Sequence, residues 1–241
     1  MATKIAHIRE ATTFLPQLSA PLADQMYLAS KRLFDIVLAI IALVLLAPLL
    51  ALISCAIALD SRGPIIFRQK RVLGDQAYGD EHPEEHQFEF YKFRSMYHKA
   101  DQSVHQRYVE QLINGQAQAQ QEGDKKLYKL GCDPRVTRVG RILRKTSLDE
   151  LPQLINILKG EMSFVGPRPA IAYEVRQYKR WHLYRLTVQQ GLTGLWQVAG
   201  RNELSFDEMV QLDIEYAQRR SFWLDLQILF ATIPAVLRGR G

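Results

Sequence analysis

"IVLAIIALVLLAPLLALISCAIAL", Ile36 to Leu59, carries no charged residue, and its reading decides what kind of protein this is. An uncharged apolar run of about 18 residues or more passes the length test for a membrane helix. A buried core helix would show a polar stripe, and this run has none. It is too long for the apolar region of a cleaved signal peptide, it starts only after residues 1–30, and no small-residue cleavage site follows it.

Pro48 stands near the midpoint of the run. A proline in a helix interior removes a hydrogen bond and kinks the axis. At about 1.5 Å per residue each arm then reaches about 17 Å, roughly half of a hydrocarbon core about 30 Å thick. Lys31 and Arg32 precede the run; Arg62, Arg68, Lys70 and Arg71 follow it. Positive flanks on both sides suit a cytoplasmic location for both ends. This predicts a re-entrant helical hairpin, with a single crossing as the simpler alternative.

The 241-residue chain is long enough for one sizeable domain, or one domain plus an appendage, and divides into a lead-in at 1–30, a membrane helix at 31–62 and a cytoplasmic domain with interfacial helices at 63–241. The predicted fold class is α/β, mixed and helix-rich. Residues Pro64–Val72 and Phe88–Met96 alternate as strands do, and Asp101–Lys126 is polar with helical spacing at Val104, Tyr108 and Leu112. Phe222, Trp223, Arg238 and Arg240 frame an apolar C-terminal stretch that suits a helix at a membrane interface or a buried one equally. The 31 Lys and Arg against 25 Asp and Glu give +6, compatible with nucleic acid, anionic lipid or phosphorylated substrates. No nucleic-acid fold motif accompanies that charge. Cys55 and Cys132 form no CxxC pair, which argues against a disulfide framework or a structural zinc site. "HPEEH", His82–His86, matches a metalloprotease pattern, but Pro83 and the strand pattern beginning at Phe88 make it a solvated loop.

The chemistry concentrates further on. Arg135, Arg138, Arg141 and Arg144 recur at three-residue spacing, which makes a cationic face for solvent, lipid or phosphate. After them Asp149 and Glu150 stand at the start of a helix with an apolar stripe of Leu151, Leu154, Ile155 and Leu158 and a stop at Gly160. Ser147-x-x-Glu150 is a capping box, so capping competes with catalysis as the reason for the acids. Pro152 belongs to a first turn, which moves the predicted start toward Leu148 or Asp149, and the helix dipole should keep both acids ionised. Gly166-Pro167-Arg168-Pro169 is a stiff turn that holds an arginine in place. An acid among such cations fits a phosphorylated substrate, with a divalent cation to offset repulsion between carboxylate and phosphate.

"KRLFDIVLA", "GPIIFRQKRV", "FYKFRSM", "DPRVTRVGRILRKTSLDELPQLINILKGEMSFVGPRP", "GLTGLWQVAGRN" and "LDIEYAQRRSFWLDLQILFATI" together resemble the bacterial sugar transferases, the monotopic polyprenyl-phosphate phosphoglycosyl transferases. The likeness runs from Lys31 to Leu237. It implies a re-entrant helix in the bacterial inner membrane, with a catalytic domain facing the cytoplasm. It also implies transfer of a sugar 1-phosphate from a UDP-sugar, of the hexose kind, to polyprenyl (undecaprenyl) phosphate, with Mg²⁺ and release of UMP. Carried over, Asp149 is the nucleophile and a Mg²⁺ contact, and Glu150 its partner. Arg144 and Arg168 are phosphate contacts, and Lys92, Arg94 and Arg201 are substrate contacts or structural charges, the two readings being equal for these three. A homodimer is left open, and nucleic acid is not expected as a partner. Ala47-Pro48 stands where some members have Ser-Pro, and larger relatives carry an N-terminal membrane module that this sequence is not expected to supply. A glycosyltransferase releasing UDP and a non-enzymatic basic adaptor are the competing readings.

Overall fold

The computed structural model describes residues 22–237, apart from 78, 80, 102, 118–119, 123–124 and 129–132. The lead-in before residue 22, Cys132, Arg238 and Arg240 lie outside the described residues. The chain opens with α1 (Leu22–Asp60), a helix of 39 residues that runs on through Pro48. It begins before residue 31, so 22–30 take the helical one of the two forms, loosely helical or irregular, that the lead-in allows. There follow β1 (Ile66–Val72), the single-turn α2 (Gly74–Ala77), β2 (Gln87–Phe93), α3 (Ser103–Ile113), β3 (Gln120–Glu122) and β4 (Lys125–Leu127). Next come α4 (Arg138–Thr146), α5 (Gln153–Lys159), β5 (Ser163–Val165), α6 (Ala172–Val175) and β6 (Gly191–Thr193). The chain closes with α7 (Leu195–Ala199), α8 (Phe206–Arg219) and α9 (Phe222–Leu237).

The mixed, helix-rich reading holds. Its strands make three two-stranded sheets: β1 with β2 and β3 with β4 antiparallel, β5 with β6 parallel. The two longest strands pair from Ile66 opposite Phe93 to Val72 opposite Gln87, as the alternating pattern predicts. Between them "HPEEH" forms a 3₁₀ turn at Pro83–Glu85, and among the described residues no three metal-ligating side chains converge.

Two faces differ from the expected stripes. On α5 it is Leu154 and Ile157 that are buried, while Ile155 is exposed. Burial of Asn156 explains the shift: its side chain accepts from the Tyr91 N–H and donates to the Glu89 carbonyl, fixing α5 against β2. On α3, Val109 and Ile113 are the buried residues, packed with Phe206 and Val210, so the helix is half-buried instead of solvated.

Both arms of α1 pack on the same body. Before Pro48, Ala39 with Leu38, Ala42 and Leu43 joins the core of Leu154, Ile157 and Met162. After it, Ile53 and Ile57 join Phe93 and Leu143. Polar ties hold each end. Arg32 donates to the Ile157 and Leu158 carbonyls at 2.5 and 2.8 Å, and Asp35 accepts from the Phe164 N–H at 3.1 Å. At the far end Asp60 accepts from the Val139 N–H, and Arg94 donates to the Ser61 carbonyl at 2.5 Å. Between these ties Val44 and Leu45 stand 68 % and 73 % exposed.

The base of α1 is locked to α9 by an ion pair. Lys31 Nζ lies 2.7 Å from Asp225 Oδ2, both side chains buried, and Tyr27 and Tyr216 also donate to that carboxylate. On α9, Ile228 is buried, whereas Trp223 and Phe230 are 69 % and 70 % exposed. Removing one member of a buried pair strands the other charge, at about 3–5 kcal/mol. Asp225→Ala should therefore lower the melting temperature of the purified protein sharply. Arg219→Ala, which breaks the surface pair with Glu215, should cost about 0.5 kcal/mol or less. Equal melting temperatures for the two variants would show that the pair anchors nothing.

Candidate active site

The acidic pair sits on a tight corner. Helix α4 ends when Ser147 turns left-handed (φ 57°, ψ 15°) and its N–H returns to the Arg144 and Leu143 carbonyls. A 3₁₀ turn, Leu148–Glu150, follows, and Pro152 then opens α5. Leu148 and Leu151 fasten this corner to Phe93 and Leu143. The capping box does not form: Ser147 spends its backbone closing α4 and its side chain caps nothing. Glu150 instead accepts from Arg168 Nη1 at 2.9 Å.

Asp149 is buried, 6 % exposed. The dipole argument fails here, because a single 3₁₀ turn is too short to dominate. Desolvation pushes the Asp149 carboxyl above the usual range, with Lys92, Arg144 and Arg168 pulling it back down and Glu150 adding to the rise. Cations thus face this acid from three elements: β2, α4 and the Gly-Pro-Arg-Pro turn.

That turn is held by close backbone contact. The N–H of Gly166 donates to the Thr193 carbonyl and that of Gly191 to the Pro167 carbonyl. A Cβ on Gly191 would come within 2.1 Å of the Gly166 nitrogen, so only glycine fits at this crossing. Arg71 completes the support: its buried guanidinium donates to the Pro169 carbonyl at 2.8 Å and lies over the Phe90 ring at 5.1 Å.

A cavity of about 660 Å³ opens beside the corner. Arg68, Arg71, Lys92, Arg94, Lys99, Arg135 and Arg144 line it, with Asp101 as the one carboxylate. Lys92 and Arg144 face both the cavity and Asp149, as expected for substrate contacts. Arg201 is left-handed (φ 48°), bonds the Gln197 carbonyl, and feels Glu150 and Arg168, which places it on the Glu150 side. Arg94 lines the wall too, but its Nη2 is taken by Ser61 at the end of α1, which favours the structural one of its two readings. Arg135 does not join the α4 row: it precedes that helix and chelates Asp133. Arg71, His105 and Tyr173 also line the cavity and were missed. Arg71 was visible only as a strand residue, and His105 lay in a segment that read as solvated.

Burial lowers Lys92 to about 8, helped by Arg168 and Arg71 and opposed by Asp149. A cluster of this kind, one buried carboxylate ringed by arginine and lysine, is built for group transfer at phosphorus.

Comparison with known proteins agrees with that class. Residues 26–239 match the family model described as bacterial sugar transferase. The chain belongs to this family. It is 41 % identical over 212 residues to the exopolysaccharide production protein ExoY of Rhizobium meliloti, covering 88 % of this chain and 87 % of ExoY. It is 42 % identical to the undecaprenyl-phosphate galactose phosphotransferase of Salmonella typhimurium, covering 88 % of this chain but 41 % of that one. Identity to the undecaprenyl-phosphate glucose phosphotransferase of Komagataeibacter xylinus is 40 %, covering 87 % and 36 %. The chain thus spans nearly all of ExoY and less than half of the two longer relatives.

The lowered Lys92 makes a pH prediction. Below about 8 the ammonium is charged and attracts an anion; above it that charge fades, well before an ordinary lysine would lose it. Affinity for inorganic pyrophosphate, read by calorimetry, should fall as pH rises from 7 to 9.5, and Lys92→Arg should flatten the profile. Parallel profiles for the two proteins would rule Lys92 out as an anion contact.

Proposed function

We propose that this protein transfers a hexose 1-phosphate from a UDP-hexose to polyprenyl phosphate in two displacement steps through Asp149. In the first, an Asp149 carboxylate oxygen attacks the β-phosphorus, and the bond from that phosphorus to the bridging oxygen breaks. UMP leaves with that oxygen and its electron pair. In the second, a phosphate oxygen of the lipid attacks the same phosphorus, the acyl-phosphate bond breaks, and Asp149 returns as a carboxylate. The product is polyprenyl diphosphate hexose. A carboxylate nucleophile divides one demanding phosphoryl transfer into two easier ones. The observation that carries this reading is the buried Asp149 facing three cations beside a cavity lined by seven.

Each residue has a task in this reading. Arg168, oriented by Glu150 and by the turn that Arg71 supports, holds the transferring phosphoryl group. Lys92 and Arg144 neutralise the diphosphate, which also lowers the carboxyl of Asp149 toward its reactive, ionised form. Mg²⁺ asks for one or two carboxylates and fills its remaining positions with phosphate and water. Asp149, with Glu150 beside it, is such a donor set, and a cation there would offset the repulsion between carboxylate and diphosphate.

The exposed apolar faces of α1 and α9 fit the bilayer, and a helix with both ends tied to one body enters and leaves it on the same face. The reading is therefore a re-entrant α1 in the inner membrane with the cavity facing the cytoplasm. A lipid phosphate acceptor and a soluble nucleotide donor then meet at the interface, and nothing crosses.

Asp149→Asn should abolish UMP release from UDP-hexoses with undecaprenyl phosphate, a fall of about 10³-fold or more, and should trap no radiolabelled phosphosugar on the protein. Wild-type signal should vanish in EDTA and return with Mg²⁺. Release of UDP in place of UMP would make the protein a glycosyltransferase; near-normal turnover by the variant would end the covalent scheme. For topology, cysteines placed at residues 28 and 62 should react with an impermeant reagent from the cytoplasmic side alone, and labelling from opposite sides would replace the re-entrant helix with a crossing one.

A further inference from the structure

The cavity also holds a pair of uncharged groups among its cations. His105, from α3, and Tyr173, from α6, both line the cavity, and His105 Nδ1 lies 2.9 Å from the Tyr173 hydroxyl. His105 is half-buried within the field of Arg71, Lys92, Arg168 and Arg144. Three of these, Lys92, Arg144 and Arg168, are the cations that act on Asp149, so the pair and the acid share one cationic field. Burial and the four cations push His105 down to about 4, and burial pushes Tyr173 up to about 12. Both groups are therefore neutral throughout the physiological range.

A neutral couple has no advantage against phosphate, for which the surrounding cations are better partners. Its hydrogen-bonding capacity points elsewhere. With Tyr173 donating to Nδ1, the imidazole Nε2–H remains a donor and the phenol oxygen an acceptor. With Nδ1–H donating to Tyr173, Nε2 is the acceptor and the phenol O–H the donor. Either arrangement leaves one donor and one acceptor at separate points of the pair, the complement of two neighbouring alcohols, each of which is both. The group carried on the transferring phosphorus is the sugar. We propose that His105 and Tyr173 each read a hydroxyl of the hexose and so set which UDP-hexose the enzyme accepts. The inference rests on the donor assignment made above, and its test separates the two.

Dissociation constants for UDP, UDP-glucose and UDP-galactose would be measured by calorimetry on the full-length protein in lipid nanodiscs, for wild type, Tyr173→Phe and His105→Asn. UMP release would be followed in parallel. Wild type should bind one UDP-hexose more tightly than UDP and discriminate between the two epimers. Each variant should hold UDP within about twofold of wild type while losing about tenfold in affinity and kcat/KM for the preferred hexose, with the epimer ratio moving toward one. A deoxy donor that lacks the hydroxyl concerned should show no loss in Tyr173→Phe. The proposal is overturned if UDP affinity falls by the same factor as UDP-hexose affinity, since the pair then serves the nucleotide, or if the epimer ratio does not move. It is also overturned if wild type binds the two epimers equally. Failure of the proposed reaction would show instead as absent UMP release with the binding pattern intact.

Discussion

The arrangement of the catalytic body depends on how the base of α1 is tied down. Arg32 closes the carbonyls at the C-terminal end of α5, where a cation also meets the negative end of the helix dipole. One turn on, Asp35 accepts from the N–H of Phe164 in β5. The corner bearing Asp149 leads into α5, and the turn bearing Arg168 follows β5. The same helical turn of α1 thus fixes both segments from which the acid and its principal cation project. Lys31, buried against Asp225, adds α9 to this anchor. An apolar helix with few buried neighbours of its own is held by charged groups at its root, and those groups set the spacing of the site.

The cations of the site oppose one another at close quarters. Desolvation, with help from Arg168, holds Lys92 near 8 and Arg71 near 10, with Asp149 and Glu150 opposing the shift of Lys92, and Glu174 and Glu150 that of Arg71. Such a cluster is costly when empty and is relieved by a polyanion, whose negative charge favours the protonated form of Lys92 but, as a like charge, works against ionisation of Asp149. In the proposed reaction Lys92, Arg144 and Arg168, with a divalent cation, therefore have to offset that repulsion before the acid can attack. The ion pair between Arg168 and Glu150 keeps that arginine from folding onto Asp149 before the ligand arrives.

Much of this was legible in the sequence because its signals are local. The charge-free run and its proline mark α1, alternation marks β1 and β2, and the glycine at 160 ends α5 with φ 83°. The Asp-Glu pair, Arg168 and Lys92 stood out as acids and cations beside turn residues. What escaped depends on contacts distant in sequence. Asn156 buries itself by bonding β2, which rotates α5 and exposes Ile155. Ser147 adopts a left-handed conformation that converts a textual capping box into a corner. Arg94 resembles its neighbour Lys92 in every local respect, yet one reaches the end of α1 and the other the acid. His105 and Tyr173 lie 68 positions apart and become a pair only when α3 packs against α8 and α6.

A two-step route also suits a single cavity of this size. In one concerted transfer the nucleotide diphosphate and the lipid phosphate would occupy the cationic wall together, adding a second anion where Lys92 and Arg144 are already shared. In the proposed scheme the phosphosugar rests on Asp149 while UMP departs, which would return those cations to solvent before the acceptor enters. Ile66 and Phe67 line the same cavity a few residues beyond the end of α1, and Arg94 ties that end to the cavity wall, so the second anion has an apolar approach from the side where α1 lies. The geometry that makes Asp149 hard to reach from bulk water is therefore the one that lets donor and acceptor use the same cations in turn.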